Sequence, residues 1–280
     1  MTESKTAPPS AEQGTRNLLV RAAAAVVLAP LTIAFAYAGG WLWVALVTLA
    51  AIGLYVEWLS VVGAFAPRTV AMGAAAFATA GFFLATGWID RTLVLLLVGG
   101  GIVLVLVQER RFWIATGFAY AAGAQVASVL VRLDQAYGFA ALMFVLLIVW
   151  VTDTGGYFAG RIIGGPKLWP QVSPKKTWAG AVGGFAASLV VATGFAAFGA
   201  GRAGPVLFLG AILSIASQLG DLFESAVKRR FGVKDSSQII PGHGGLLDRL
   251  DGFVAAVVLA AILGFLRGGA DGVGRGLMVW

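Results

Sequence analysis

Apolar runs long enough to cross a bilayer recur along the chain, at roughly residues 18–38, 40–56, 69–88, 91–108, 112–131, 136–152, 178–199, 204–220 and 252–266. A membrane-crossing helix needs about 20 predominantly apolar residues. The pattern therefore predicts nine transmembrane helices, some joined by only a few residues. Gly and Ala recur inside many of these runs, which lets helices approach closely in lipid. The first run ends at Ala36-Tyr37-Ala38, which resembles a signal-peptide cleavage site. Its apolar stretch exceeds the roughly 7–15 residues usual for such peptides, so it reads as the first span. Residues 1–16, MTESKTAPPSAEQGTR, are polar and predict a disordered tail.

Composition points the same way. Of 280 residues, 59% are hydrophobic and 12% charged, where soluble domains carry roughly 25% charged residues. With a mean hydropathy of +0.88, a soluble enzyme is excluded and an all-α, polytopic membrane protein is expected. There is no cysteine, which excludes disulfides, thiolate zinc sites, c-type haem attachment and cysteine nucleophiles. The net charge of +7 is explained by topology. With nine spans and a cytoplasmic N-terminus, fifteen of the 20 Lys and Arg fall inside, and only Arg91, Arg132, Arg202, Arg267 and Arg275 outside. No nucleic-acid partner is needed to account for the charge. Trp41, Trp43, Trp58 and Trp88 read as interface anchors.

Residues 17–149 form an N-terminal set of spans with almost no polar chemistry, and residues 150–280 a C-terminal region with two cytoplasmic loops, 153–177 and 221–251. Those loops hold nine of the 20 basic residues and six of the 13 acidic ones. In the second, SQLGDLFESAVKRRFGVKDSSQIIPGHGGLLDRLDG, Asp221 ends an apolar run, and Asp221, Glu224, Ser225 and Lys228 share a face if the helix continues. Arg229 and Arg230 flank that face. Asp248 and Asp251 open the last span, one turn apart, after a Gly-rich loop containing the only histidine, His243. Carboxylates at two helix ends suit a hard cation such as Mg²⁺. Their ordinary alternative is juxtamembrane ion pairing with Lys228 and Arg249.

In the first loop, DTGGYFAGRIIGGPKLWPQVSPKKTWAG, Asp153 interrupts an apolar run at an apparent helix end. Ser173 reads as an N-cap and Pro174 as a first helical residue, placing Lys175 and Lys176 in a first turn, where cations oppose the helix dipole. A phosphate bound there would resolve the conflict; lysines facing anionic lipid headgroups are the alternative. His243 could touch a phosphate or orient a metal ligand, or simply be a hydrogen-bonded loop residue. Walker-type phosphate loops, dinucleotide fingerprints and H-E-x-x-H zinc sites are absent from the sequence. Acidic ligands and clustered cations on one membrane face suit phosphoryl or nucleotidyl transfer to a lipid, without choosing the nucleotide or the lipid.

At these residues the sequence resembles the phosphatidate cytidylyltransferases, also called CDP-diacylglycerol synthases. Ser225 to Asp251 matches the pattern S-x-[LIVMF]-K-R, K-D, H-G-G, D-R-x-D without a gap, and QLGD at 218–221, DTG at 153–155 and SPKKT at 173–177 resemble further family blocks. Ala179 stands where members often carry Glu or Gln. The resemblance implies transfer of cytidylyl from CTP to phosphatidate, with Mg²⁺ and room for a second metal ion. It further implies metal on Asp221, Asp248 and Asp251, and phosphate contacts from Ser173, Lys175, Lys176, Lys228, Arg229, Lys234, Gly244, Gly245 and Arg249. Asp153 and His243 would assist the chemistry. It places the chain in the bacterial plasma membrane with a cytoplasmic site; a homodimer is compatible with it. Two rival readings carry less. The CDP-alcohol phosphotransferase pattern is missing, and the paired broken segments of a transporter are not seen.

Overall fold

The computed structural model describes residues 26–107, 109–237 and 244–280. Ten helices follow in order: α1 (Val26–Ala38), α2 (Gly40–Val61), α3 (Pro67–Ala85), α4 (Ile89–Leu106), α5 (Arg111–Leu133), α6 (Gly138–Ile162), α7 (Trp178–Ala197), α8 (Ala203–Arg230), α9 (Leu247–Gly268) and α10 (Val273–Met278). A two-stranded antiparallel hairpin, β1 (Lys167–Trp169) and β2 (Ser173–Thr177), lies between α6 and α7, with Lys167 opposite Thr177 and Trp169 opposite Ser173. Eight helices, α2 to α9, are long and apolar enough to span a membrane. With α1 they correspond one for one to the nine apolar runs. The part of the first run before residue 26 and the tail 1–16 lie outside the described residues.

The turn from α1 into α2 is a single residue, Gly39, at φ +63°. The Arg132 guanidinium clasps it, Nε donating to Ala36 O at 2.5 Å and Nη2 to Tyr37 O at 3.0 Å. A Cβ on Gly39 would come 2.6 Å from Arg132 Nη2, so glycine serves both the positive φ and the close approach.

Two buried clusters hold the bundle. One centres on Leu142, Phe144, Val145 and Ile148 of α6, packed with Leu209 and Leu213 of α8 and Val257 and Ala260 of α9. The other joins Tyr55 and Trp58 of α2 to Phe77 of α3, Phe118 of α5 and Val254 of α9. Trp43 and Trp58, expected at the membrane interface, are 3% and 0% exposed and belong to the first and the second cluster respectively, whereas Trp41 and Trp88 are exposed. Trp58 is held inside because its indole N–H donates to Trp113 O at 2.8 Å and its ring stacks on Tyr120. By contrast, Leu97 and Val105 of α4 are 78% and 71% exposed. Such a face is stable only against lipid or another apolar surface.

The expected loops 153–177 and 221–251 are both shorter than the sequence pattern suggested. α6 runs past Asp153 to Ile162, and α8 past Asp221 to Arg230. The glycines after Asp153 do not end α6; they form its contact with α7. A Cβ on Gly155 would lie 2.7 Å from the Ala187 Cβ and one on Gly156 3.2 Å from Gly180 O, and from the α7 side a Cβ on Gly184 would lie 2.4 Å from Thr152 O. Without side chains there, the two backbones pack closely enough to offset the poor helix propensity of glycine. At 28 residues, α8 is about 42 Å long. It outruns a bilayer core of about 30 Å and carries its polar end clear of the apolar slab.

Candidate active site

Residues 43–54 of α2, the second half of α6, Gln218 and Asp221 in the body of α8, the starts of α7 and α9, the β hairpin and residues of α1 and α5 converge in the bundle. They enclose a cavity of about 1150 Å³. Asp153 of α6, Lys175 and Lys176 of β2, Asp221 of α8, and Asp248, Arg249 and Asp251 of α9 line its polar end. Deeper in, the walls are apolar, with Leu28, Trp43, Val47, Leu54, Trp150 and Phe253.

Local structure explains how β2 presents its lysines. Ser173 is not an N-cap, and Lys175 and Lys176 do not begin a helix; Ser173–Thr177 is a strand. Proline disfavours helical backbone in the residue before it, and Pro174 accordingly leaves Ser173 extended. The cap falls instead to Thr177, whose Oγ1 accepts the Gly180 N–H at 3.0 Å. The anion-binding helix start expected at Ser173 is therefore not formed. The cations reach the cavity from the hairpin instead. Lys176 Nζ makes an ion pair with Asp221 Oδ2.

On α8, Asp221, Glu224, Ser225 and Lys228 do share a face. Ser225 Oγ donates to Asp221 Oδ1 at 3.4 Å. Lys228 is 8% exposed, and its Nζ lies 2.7 Å from Glu224 Oε2 and 2.5 Å from Asp248 Oδ1. It therefore sits beneath the cavity wall, between two carboxylates. Asp248 is held on its other oxygen. Oδ2 accepts the Gly245 N–H at 3.0 Å and the Ser236 N–H at 3.1 Å, and the Ser236 hydroxyl oxygen lies 3.0 Å from it. Gly244, at φ +85°, must lack a side chain, since a Cβ there would come 3.0 Å from the same oxygen.

The other expected residues are placed less centrally. Ser173 stands on β2 away from the cavity lining. Arg229 is exposed and donates to Val233 O at 3.1 Å, closing the end of α8. Lys234 is exposed and does not line the cavity. His243 lies outside the described residues.

Mg²⁺ requires only one or two carboxylates, the remaining ligands being water and substrate oxygens. Among the described residues no three His, Cys, Asp or Glu side chains gather to hold a metal ion. Two carboxylates do fit that smaller requirement. Asp221 and Asp251 line the same cavity and are close enough for their charges to interact. Asp251 Oδ1 accepts the adjacent Gly252 N–H at 2.7 Å, which leaves its second oxygen for a further ligand. Asp248, with both oxygens engaged, is the poorer donor.

One acidic residue of the site comes from the half of the chain that looked chemically empty. Glu57 of α2 is 1% exposed and hydrogen-bonded to the segment that precedes α9. The signal was present: a carboxylate inside the run GLYVEWLSVV is costly at membrane depth and marks a polar partner. Ser236, inside the K-D-S-S-Q stretch, is a small polar residue in a polar run, and nothing in the local sequence distinguishes it from Ser237.

The chain's similarities agree with this geometry. The sequence model of the cytidylyltransferase family matches residues 19–266. A phosphatidate cytidylyltransferase of Brucella suis biovar 1 (strain 1330) is 41% identical over 261 residues, covering 89% of this chain and 93% of that protein. One from Brucella abortus (strain 2308) is equally similar over the same span. A phosphatidate cytidylyltransferase of Staphylococcus aureus (strain COL) is 48% identical over 124 residues, covering 44% of this chain and 48% of that protein. The family's sequence model spans most of the chain and relatives 41% identical cover 89% of it, so the chain belongs to the cytidylyltransferase family.

Proposed function

We propose that the polar end of the cavity transfers cytidylyl from CTP to phosphatidate. The products are CDP-diacylglycerol, a precursor of phospholipid synthesis, and pyrophosphate. A phosphate oxygen of phosphatidate attacks the α-phosphorus of CTP, a new P–O bond forms there, and the bond to the β-phosphate oxygen breaks. The observation that carries this reading is the continuity of one cavity from charged walls to apolar ones. A lipid with a phosphate headgroup needs both environments at once.

Catalysis of this kind is mostly positioning and charge neutralisation. Lys175, Lys176 and Arg249 bring positive charge to the polar end and would bind the triphosphate and the headgroup. Lys176, now paired with Asp221, would exchange that carboxylate for a phosphate oxygen. Asp221 and Asp251, with Asp153 beside them, would hold Mg²⁺, which supplies charge stabilisation at the transferred phosphorus. Lys228, beneath the wall, pairs with Asp248 on it and so fixes the end of α8 against the start of α9. The positive-inside bias orients this face to the cytoplasm of a bacterial plasma membrane, where CTP is found.

The test is pyrophosphate release by the detergent-purified protein with phosphatidate, Mg²⁺ and each of CTP, ATP, GTP and UTP in turn. Release with CTP alone, dependent on both lipid and metal, is expected. Release that ignores phosphatidate, or none at all from folded protein, would reject the reading.

A further inference from the structure

We infer that Glu57 is a positioning residue for the transfer reaction, acting through Ser236 to hold Asp248 and the first turn of α9 against the cavity. The inference rests on the proposed cytidylyl transfer. Glu57 Oε1 accepts the Ser237 hydroxyl at 2.7 Å and the Leu246 N–H at 2.8 Å. Oε2 accepts the Ser236 hydroxyl at 2.8 Å and the Leu247 N–H at 2.8 Å. Among the described residues it forms no ion pair. Four hydrogen bonds, and no cation, therefore offset the cost of burying its charge.

The partners show what this carboxylate does. The Leu246 and Leu247 N–H groups open α9 and have no acceptor within that helix; a side chain from α2 supplies it. Ser236 has one hydroxyl proton and two carboxylates in reach, Glu57 Oε2 at 2.8 Å and Asp248 Oδ2 at 3.0 Å. A displacement of Glu57 is thus passed to Asp248 through a single shared atom. Packing leaves no slack, since a Cβ on Gly245 would fall 1.9 Å from Ser236 Oγ and 2.5 Å from Glu57 Oε2. Glu57 in this way ties down residues on both sides of 238–243 and links the N-terminal spans to the polar end of the cavity.

Glu57→Gln tests this. The amide has nearly the volume of the carboxylate, but its NH₂ meets groups that also donate, so bonds on one side are lost. In detergent, with wild-type protein assayed in parallel, kcat should fall on the order of 10²-fold, the cost of misplacing a reacting group by about 1 Å. KM for CTP and for phosphatidate should stay within about twofold, since ground-state binding is untouched. Ser236→Ala should lower kcat in the same direction, and the double variant should be no slower than Glu57→Gln alone, because both changes cut one path. An unchanged kcat in the folded variant, a rise in KM alone, or additive losses would overturn the inference. Should Glu57→Gln fail to fold, Ser236→Ala decides by itself: a fall in kcat at constant KM supports the inference, and wild-type kcat overturns it. A wild-type protein releasing no pyrophosphate would remove the transfer reading and this inference with it, and parallel assay separates that outcome from a defect of the variant.

Discussion

Lys176 and Asp221 meet as an ion pair at the polar end of the cavity, one from the β hairpin and the other from the middle of α8. Both are about 28% exposed, so the pair is open to replacement by a charged ligand. The charge-reversed double variant Lys176→Asp/Asp221→Lys keeps the pair but exchanges what each position offers a substrate. Its pyrophosphate release should stay at least about 10²-fold below wild type, as expected when electrostatic stabilisation is removed. Recovery to wild-type rates would show that the two residues serve only each other.

Lys228 lies between Glu224 and Asp248, all three nearly excluded from solvent. Removing one partner of such a cluster leaves uncompensated buried charge, at a cost of about 3–5 kcal/mol. Lys228→Met should therefore lower the unfolding temperature in detergent sharply. Adding Glu224→Gln to it should recover part of the loss by removing one of the stranded carboxylates. A Lys228→Met protein as stable as wild type would contradict the burial of this triad.

The cap of α7 separates the observed hairpin from the expected helix start. Thr177→Ala should cost about 1 kcal/mol of stability. Ser173→Ala, in the strand, should change stability by less than about 0.5 kcal/mol. Thermal unfolding of the two variants checks this directly. The reverse order would restore Ser173 as the cap.

Close packing of α6 on α7 makes a similar demand. A Cβ at Gly184 meets Thr152 O at 2.4 Å, and a backbone oxygen within a helix has little room to move. Gly184→Leu should separate the helices and cost about 1–3 kcal/mol or more. Gly194→Leu, in the same helix with open space at its Cβ, serves as the control and should be tolerated.

A chain without cysteine suits topology mapping. Single cysteines at Arg68 and Lys234 should be protected from a membrane-impermeant maleimide in intact cells. Cysteines at Arg202 and Arg275 should react. Labelling of the first pair would invert the proposed orientation.

The spans were readable because lipid requires long apolar runs, and no tertiary contact is needed to see them. Their polar ends were harder. The glycines after Asp153 suggest a loop by ordinary helix propensity, but their role is set by α7, which the local sequence does not display. Pro174 fits either a first helical turn or a strand, and only the pairing of Lys167 with Thr177 decides between them. Lys228 was legible as part of the α8 face, but not its enclosure between Glu224 and Asp248. Glu57 was the hardest to read, since its partners lie 179 to 190 positions further along the chain.

The cavity's apolar wall has a kinetic consequence. A lipid substrate that meets the reactive end while its tails remain among membrane helices is never transferred into water. Its supply is then set by lateral diffusion in the leaflet, and the relevant variable is its mole fraction among the surrounding lipids. Diluting phosphatidate with inert phospholipid at constant bulk amount would slow turnover, whereas diluting the whole suspension with buffer at fixed CTP would leave the rate per enzyme unchanged.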